Sequence, residues 1–388
     1  MMIKNRFFKA VICILLLICL SGCWNSRELN ALGIVMGIGV DRPDGPEKVK
    51  VTAQIVKAGE MAAAESAGGG SKGKAYWNVV NTGNSIFSTL RDMTNESSRK
   101  LFFPHNRVLI FGREVAEEGI ADHLDFFFRD AETRLNILFF IAEDTAEEIF
   151  DVKCELEKVP SESIAKMIDV QAEAASQTMS VKLSDLKFRI MSKTFSPVAP
   201  IIETYGSGEE KGVNITGTAV FKKDKMIGRL DKTEGRGLLW VLGKVQSGII
   251  EIKSPENHLV GMEIIRARGE FSPELKDGKV KVKVKIFEEG NLGEQEGPED
   301  LSHPEQIKFL EKQKAEEIKK EVMAAVKKAQ ELNADIFGFG EAVHKKYPKE
   351  WKVMEDKWDE IFPDIEVDVS VETYIRLMGR INKPSIPE

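Results

Sequence analysis

One stretch of the sequence specifies a chemistry by its neighbours: Leu20-Ser21-Gly22-Cys23. Small residues ahead of a cysteine fit a peptidase cleft, and the Cys23 thiol is a nucleophile able to take a diacylglyceryl group. The flanks agree. Lys4, Arg6 and Lys9 precede residues 10–20, which carry no charge. That run is shorter than the ~20 apolar residues of a spanning helix and matches the ~7–15 of a secretory signal. Residues 1–22 are therefore expected to be a lipoprotein signal peptide that is removed. Cys23 is expected to carry an S-diacylglycerol and an N-acyl chain of the palmitate kind. Two acyl chains, at about 0.8 kcal/mol per buried CH₂, anchor stably where one does not. An ordinary signal peptide with a chance cysteine, or an uncleaved anchor, is the competing reading. Of the other cysteines, Cys13 and Cys19 leave with the leader and Cys154 stays alone, so no internal disulfide is expected.

Other motifs fail on context. Gly69-Gly70-Ser71-Lys72-Gly73 spells G-x-S-x-G but has neither the strand before nor the helix after that a nucleophile elbow needs. The same loop nearly spells a phosphate-binding loop, with Ala75 where a magnesium-binding hydroxyl belongs. Gly37-Ile38-Gly39 lacks a third glycine and runs into Asp41 and a turn. His105, His123, His258, His303 and His344 show no metal-ligand spacing. Acid pairs such as Glu117/Glu118 and Glu288/Glu289 read as solvated surface charge, Cys154 as a half-buried thiol, Trp240 as a core anchor and Asp41 as a strand-end turn. The expectation is a protein that is not an enzyme, with no catalytic residue, metal or cofactor.

The 388 residues have ordinary globular composition, 42% hydrophobic and 30% charged. A net charge of −7 argues against nucleic acid as a partner. Apolar runs of strand length and apolar alternation together predict strands over 32–40, 49–56, 76–80, 107–111, 136–141, 197–204, 213–221, 225–230, 249–252, 259–271, 279–287 and 365–381. Helical spacing predicts helices over 84–97, 114–128, 145–150, 161–175, 181–191, 233–245, 304–332, 336–345 and 350–361. The fold class is α+β, multi-domain, with mixed or antiparallel sheets flanked by helices and a long amphipathic helix near the C-terminus. The expected division is an N-terminal domain over 23–205 with a flexible glycine-rich loop at 59–74, a linker at 206–212, and a C-terminal domain over 213–388 with a subdivision near 248. Lys281, Lys283 and Lys285 alternate with valines, which reads as one solvated strand face rather than a lipid-binding one.

Several stretches, in order, resemble one family. They begin with Cys23-Trp24-Asn25-Ser26-Arg27-Glu28-Leu29-Asn30 and Gly37-Ile38-Gly39-Val40-Asp41. His105-Asn106-Arg107-Val108-Leu109-Ile110-Phe111-Gly112, Arg129-Asp130 and Arg134-Leu135-Asn136 follow. Gly217-Thr218-Ala219-Val220-Phe221, Gly228-Arg229-Leu230 and Gly235-Arg236-Gly237-Leu238-Leu239-Trp240 complete the set. The sequence resembles the Ger(x)C family, the C-subunit lipoproteins of spore-germinant receptors, over nearly all of the mature chain. The resemblance implies a complex with an A-type subunit and a transporter-like B-type subunit at the spore inner membrane, sensing small nutrients and promoting germination. It implies sheets flanked by helices and no known catalysis. The mature body would sit on the outer face of that membrane. Whether this subunit binds the germinant directly is left open.

Trp24, Arg27 and Glu28 adjoin the anchor. They either orient the body at the membrane and contact the B-type subunit, or simply begin the first domain. A second function class is a solute-binding lipoprotein of a transporter, which calls for two doubly wound lobes around a cleft. A third is a lipid-anchored cell-wall hydrolase, which calls for acids clustered in a groove.

Overall fold

The computed structural model describes residues 31–57, 59, 74–208 and 211–379. The expected signal peptide, Cys23, Trp24, Arg27, Glu28 and nearly all of the glycine-rich loop lie outside the described residues.

Thirteen strands are described: β1 Leu32–Asp41, β2 Val49–Val56, β3 Tyr76–Gly83, β4 Lys100–Phe102, β5 Val108–Phe111, β6 Leu138–Ala142, β7 Val198–Tyr205, β8 Gly212–Lys222, β9 Lys225–Leu230, β10 Ile249–Lys253, β11 Leu259–Lys276, β12 Lys279–Gln295 and β13 Glu366–Leu377. The first nine form one mixed sheet in the order β3-β2-β1-β5-β6-β7-β8-β9, with β4 beside the start of β1. Within it β1, β5, β6 and β7 run parallel and the flanking strands return antiparallel. The last four form a second sheet, β10-β11-β12-β13. The architecture is α+β with mixed sheets, as expected.

The helices are α1 Ile86–Asp92, α2 Arg113–Glu118, α3 Ala121–Arg129, α4 Ala146–Asp151, α5 Pro160–Ala174, α6 Leu183–Met191, α7 Lys232–Val241, α8 Pro304–Glu331, α9 Phe339–Lys346, α10 Pro348–Met354 and α11 Trp358–Ile361. Local chemistry sets several boundaries. Thr145 caps α4 by accepting from the Glu148 N–H, and Asp231 and Glu234 close a reciprocal box at the start of α7. The single helix expected over 114–128 is two helices. Gly119, at φ +135°, ends α2 and turns the chain into α3. The helix expected from 161 begins one residue earlier, with Pro160 in its first turn, and the Ser161 N–H and hydroxyl both donate to Gln54 of β2.

Strand alternation splits the large sheet's burial between two faces. Val108, Ile110, Phe140 and Ala142 point to a core with Ile149, Phe150, Ile164 and Ile168 of α4 and α5. Leu109, Phe111 and Phe139 point the other way, against Val115, Leu124, Phe127 and Leu186 of α2, α3 and α6. That second core continues through Trp240 of α7 and Val322 of α8 to Val282 of β12 and Val369 of β13.

The stretch expected as a linker, 206–212, falls between two paired strands of one sheet and ends inside β8. Tyr205 and Gly212 are paired, and β8 and β9 complete the first sheet. The second sheet begins at Ile249. Strands β11 and β12 also run further than expected, to Lys276 and Gln295, because their paired register continues well past the alternating apolar stretch. No helix among the described residues is long and apolar enough to cross a membrane.

Candidate functional site

The carboxyl ends of parallel strands are where open α/β sheets usually place ligands. Here Asp41 closes β1, and its carboxylate accepts from the backbone N–H groups of Ala146 (2.7 Å) and Glu147 (3.0 Å) at the start of α4. Burial pushes its pKa up to about 6 against those hydrogen bonds. Around it lies a shell of pairs: Lys50 with Glu147, Arg113 with Glu143 and Glu117, and Arg229 with Glu143. Beside this edge runs an open groove of about 1170 Å³, between the β1–β2 turn and helices α1 and α3. Its lining is acidic: Asp44, Glu47, Glu114, Glu118, Asp122 and Asp125 outnumber Arg42, Lys48 and Arg129. Two of those cations are paired within it, Arg42 with Glu118 and Arg129 with Asp125. Half-exposed Phe87 packs on Phe126 at one side, with ring centroids 5.7 Å apart. His123 lines the groove edge-on to Phe111, and burial lowers its pKa.

The remaining chemistry-bearing residues are consumed structurally. Asp335 is buried and accepts from the N–H groups of Gly338, Phe339 and Gly340 and from Trp358 Nε1. Its pKa is also pushed up to about 6 by burial. Trp240 is a core anchor as expected, and it donates Nε1–H to Glu321 at 2.8 Å, while Arg236 grips the same carboxylate. Cys154 is half-buried, and its thiol is pushed up by burial, away from the reactive thiolate. Glu117 and Glu118 are surface residues paired with arginines. Glu288 departs from the surface charge expected of it: the side chain is fully buried, and Lys314 Nζ, equally buried, lies 2.7 Å from it. Lys281 pairs with Glu366, and Lys283 lies 3.0 Å from Glu274, on a solvated sheet face.

Sequence spacing missed one constellation. The β10–β11 turn brings His258 Nδ1 to 2.8 Å from Glu299, with Glu256 adjacent. Glu299 also accepts from the Ser254 hydroxyl. With His258 and Glu299 separated by 41 positions, no local pattern reveals this cluster. The close imidazole–carboxylate hydrogen bond and the serine hydroxyl account for it as a turn clasp.

Comparison with known proteins decides the family. Residues 25–204 match the model described as spore germination protein N-terminal domain, and residues 216–379 match that of spore germination B3/GerAC like, C-terminal. The chain belongs to the Ger(x)C family of spore germination proteins. It is 30% identical to spore germination protein KC of Bacillus subtilis (strain 168), covering 98% of each chain. It is 28% identical to spore germination protein A3 of the same strain, over 97% of this chain and 98% of that one. The crystal structure of the GerBC protein superposes with a TM-score of 0.58, covering 88% of this chain and 97% of that one at 17% identity. The fold is thus a Ger(x)C fold, and the two-lobed plan of a solute-binding lipoprotein is not the one found. The family's two domain models meet near β7 and β8, where the sheet itself is continuous.

Proposed function

We propose that this Ger(x)C protein is the lipid-anchored, non-enzymatic C-type subunit of a nutrient-germinant receptor, held by Cys23 on the outer face of the spore inner membrane. The observation that carries the reading is the match to both family domains in order, beginning at residue 25, two positions after the cysteine. The side-chain chemistry is in keeping with it. The buried carboxylates Asp41, Glu288, Glu321 and Asp335 are spent on backbone N–H groups, a lysine, an arginine and indoles. In this reading the body contributes assembly and transmission of conformational change to A-type and transporter-like B-type subunits, with Trp24, Arg27 and Glu28 beside the anchor.

Affinity purification from spore membranes tests it. The wild-type chain is expected to bring down transporter-like and A-type subunits and to stay with the membrane fraction. Cys23→Ala is expected to release the chain and lose both partners. Recovery of Cys23→Ala with the same partners in the membrane fraction would remove the anchor from the account. A panel of amino acids and sugars in thermal-shift measurements separates direct ligand binding from this role, since any ligand held by the folded state alone raises Tm.

A further inference from the structure

We propose that the body stands on the bilayer by the end of the large sheet where β1 begins, with Leu156 entering the lipid surface, and that the acidic groove points away from it. The proposal rests on the anchoring reading, and its first support is reach. Between Cys23 and Leu32 lie only residues 24–31. Fully extended, that segment spans roughly 30 Å at most. The ten residues of β1 carry the chain about as far again, ~33 Å, to Asp41 and the groove. With the body inverted, Leu32 would stand at or beyond the limit of its own tether.

Pairing register identifies what else lies at the entry end. Leu32 pairs with Lys100, and in the neighbouring ladder Val56 pairs with Tyr76. The Tyr76 hydroxyl donates to the Val152 carbonyl at 3.3 Å, and Lys74 Nζ lies 2.7 Å from Asp151. The loop from Asp151 to Val159 is thereby fixed beside the point where the chain enters. At its tip Leu156 is 96% exposed, more than any other large hydrophobic side chain described. Exposed Lys57, Lys74, Arg99 and Lys153 surround this end. Lys74 and Lys153 are partly neutralised by Asp151 and Glu155, so the charge here is mixed.

The opposite end supplies the contrast. Asp44, Glu47, Glu114, Glu118, Asp122 and Asp125 line the groove there, and an anionic leaflet repels such a surface. Tether length strains one pose to its limit, charge disfavours the same pose, and Leu156, the most exposed large hydrophobic side chain among the described residues, selects the end that remains.

The test supplies the tether chemically. The mature chain with Cys154→Ser is coupled through Cys23 to maleimide-headgroup lipid in phosphatidylglycerol/phosphatidylcholine vesicles. Its amide hydrogen exchange is compared with that of the same chain capped with N-ethylmaleimide and mixed with plain vesicles. Residues 151–158 and 74–77 are expected to exchange about tenfold more slowly when tethered, the population shift that burying one leucine side chain supports. Residues 42–47 and 114–125 are expected to be unchanged. Leu156→Asp, at a site with no packing to lose, is expected to abolish the protection with the tether intact. Protection at the groove, or at neither end, or protection that survives Leu156→Asp, overturns the proposal. Because the anchor is supplied by coupling, failure here concerns orientation alone. An unmodified Cys23 on the protein isolated from spores would instead overturn the anchoring reading.

Discussion

The two sheets meet the same covering problem in opposite ways. The nine-stranded sheet is buried on both faces, by α4 and α5 on one and by α2, α3 and α6 on the other, and its cover is apolar apart from hydrogen bonds of Asp41 to the start of α4 and of Gln54 to Ser161 of α5, with no buried ion pair among them. The four-stranded sheet is covered on one face and wet on the other, where Lys283 meets Glu274 and Lys281 meets Glu366. Its main cover, α8, is fastened by charge. Lys314 meets Glu288 of β12, and seven residues further along the same helix Glu321 meets Arg236 and Trp240 of α7. A helix lying on an evenly alternating strand face has several neighbouring resting positions of similar apolar burial. A buried ion pair is satisfied in only one of them, which is the best-attested use of such pairs. Apolar packing and a few buried hydrogen bonds hold the cover of the first sheet, and buried ion pairs hold the cover of the second.

The largest effect expected from that contrast is at Lys314. Glu288 Oε1 has no hydrogen-bond partner among the described residues, so the lysine is the carboxylate's main compensation. Lys314→Met should cost about 3–5 kcal/mol in urea unfolding, the penalty for stranding a buried charge. The double variant Lys314→Met, Glu288→Leu should recover most of that loss. A double variant as unstable as the single would show that the pair contributes attraction rather than register.

Next in size is the pH response of the two capping carboxylates, one at the end of each core. Asp41 and Asp335 are both raised from an ordinary 3.8 to about 6 by burial. A raised folded-state pKa means the folded protein binds the proton more tightly than the unfolded chain. The contribution is whole below about pH 4 and is lost as pH rises through about 6, on the order of 3 kcal/mol for each group. The difference in unfolding free energy between wild type and Asp41→Asn should fall by that amount between those pH values and then stay flat. Asp335→Asn should show the same slope with a larger constant offset, because an amide keeps only one acceptor oxygen, which strands two of the four donors at Asp335 against one of the two at Asp41.

Two close approaches sharpen the same comparison. A Cβ on Gly37 would fall 2.2 Å from Ser161 Oγ and 2.5 Å from Phe150 Cε1, both side-chain atoms. On Gly237 it would fall 2.1 Å from the Glu321 carbonyl oxygen, which belongs to the α8 backbone. Both alanine variants should cost about 1–3 kcal/mol by overpacking. Gly237→Ala should lie at the upper end despite the up to ~1 kcal/mol that alanine returns in helix propensity, because a backbone cannot rotate aside. It should also loosen the Arg236–Glu321 contact, visible as faster amide exchange along α7 and α8.

Much of this was legible in the residues. An unbroken apolar run of strand length marks β1, which is buried on both faces, while alternation marks β12 and the 310–318–322–325–329 stripe marks α8, because one-sided burial writes its own period into a sequence. The family resemblance rested on short ordered motifs that the structure sets in β1, β5, β8 and α7. What escaped was polar and long-range. Lys314 stands four residues after Leu310 and four before Ile318, inside the apolar stripe, and that spacing was the available signal that it is buried. Glu288 stands two residues after Ile286, in phase with the inward Val280, Val282 and Val284, and that parity was the signal available against the surface reading of the Glu288/Glu289 pair. Asp41 reads as a strand end because its partners, Ala146 and Glu147, lie 105 and 106 residues away. The connection at 206–212 reads as a linker because Gly206, Ser207 and Gly208 obey the same composition in a hairpin loop as in a tether.

The smallest effect expected is itself informative. Lys283 donates to Glu274 across the wet face of the second sheet, and the contact holds the Glu274 pKa below its ordinary value while raising that of the lysine. By geometry it resembles the Lys314–Glu288 pair, with N···O distances of 3.0 and 2.7 Å. Solvent makes the difference. An exposed pair exchanges water contacts for each other, orders two long side chains and is screened by salt. Lys283→Ala should therefore leave the unfolding midpoint within experimental error at low and at high ionic strength. A clear loss that vanished in salt would mean that the wet face, too, holds its strands by charge, and that the second sheet depends on ions on both of its sides rather than on the covered one alone.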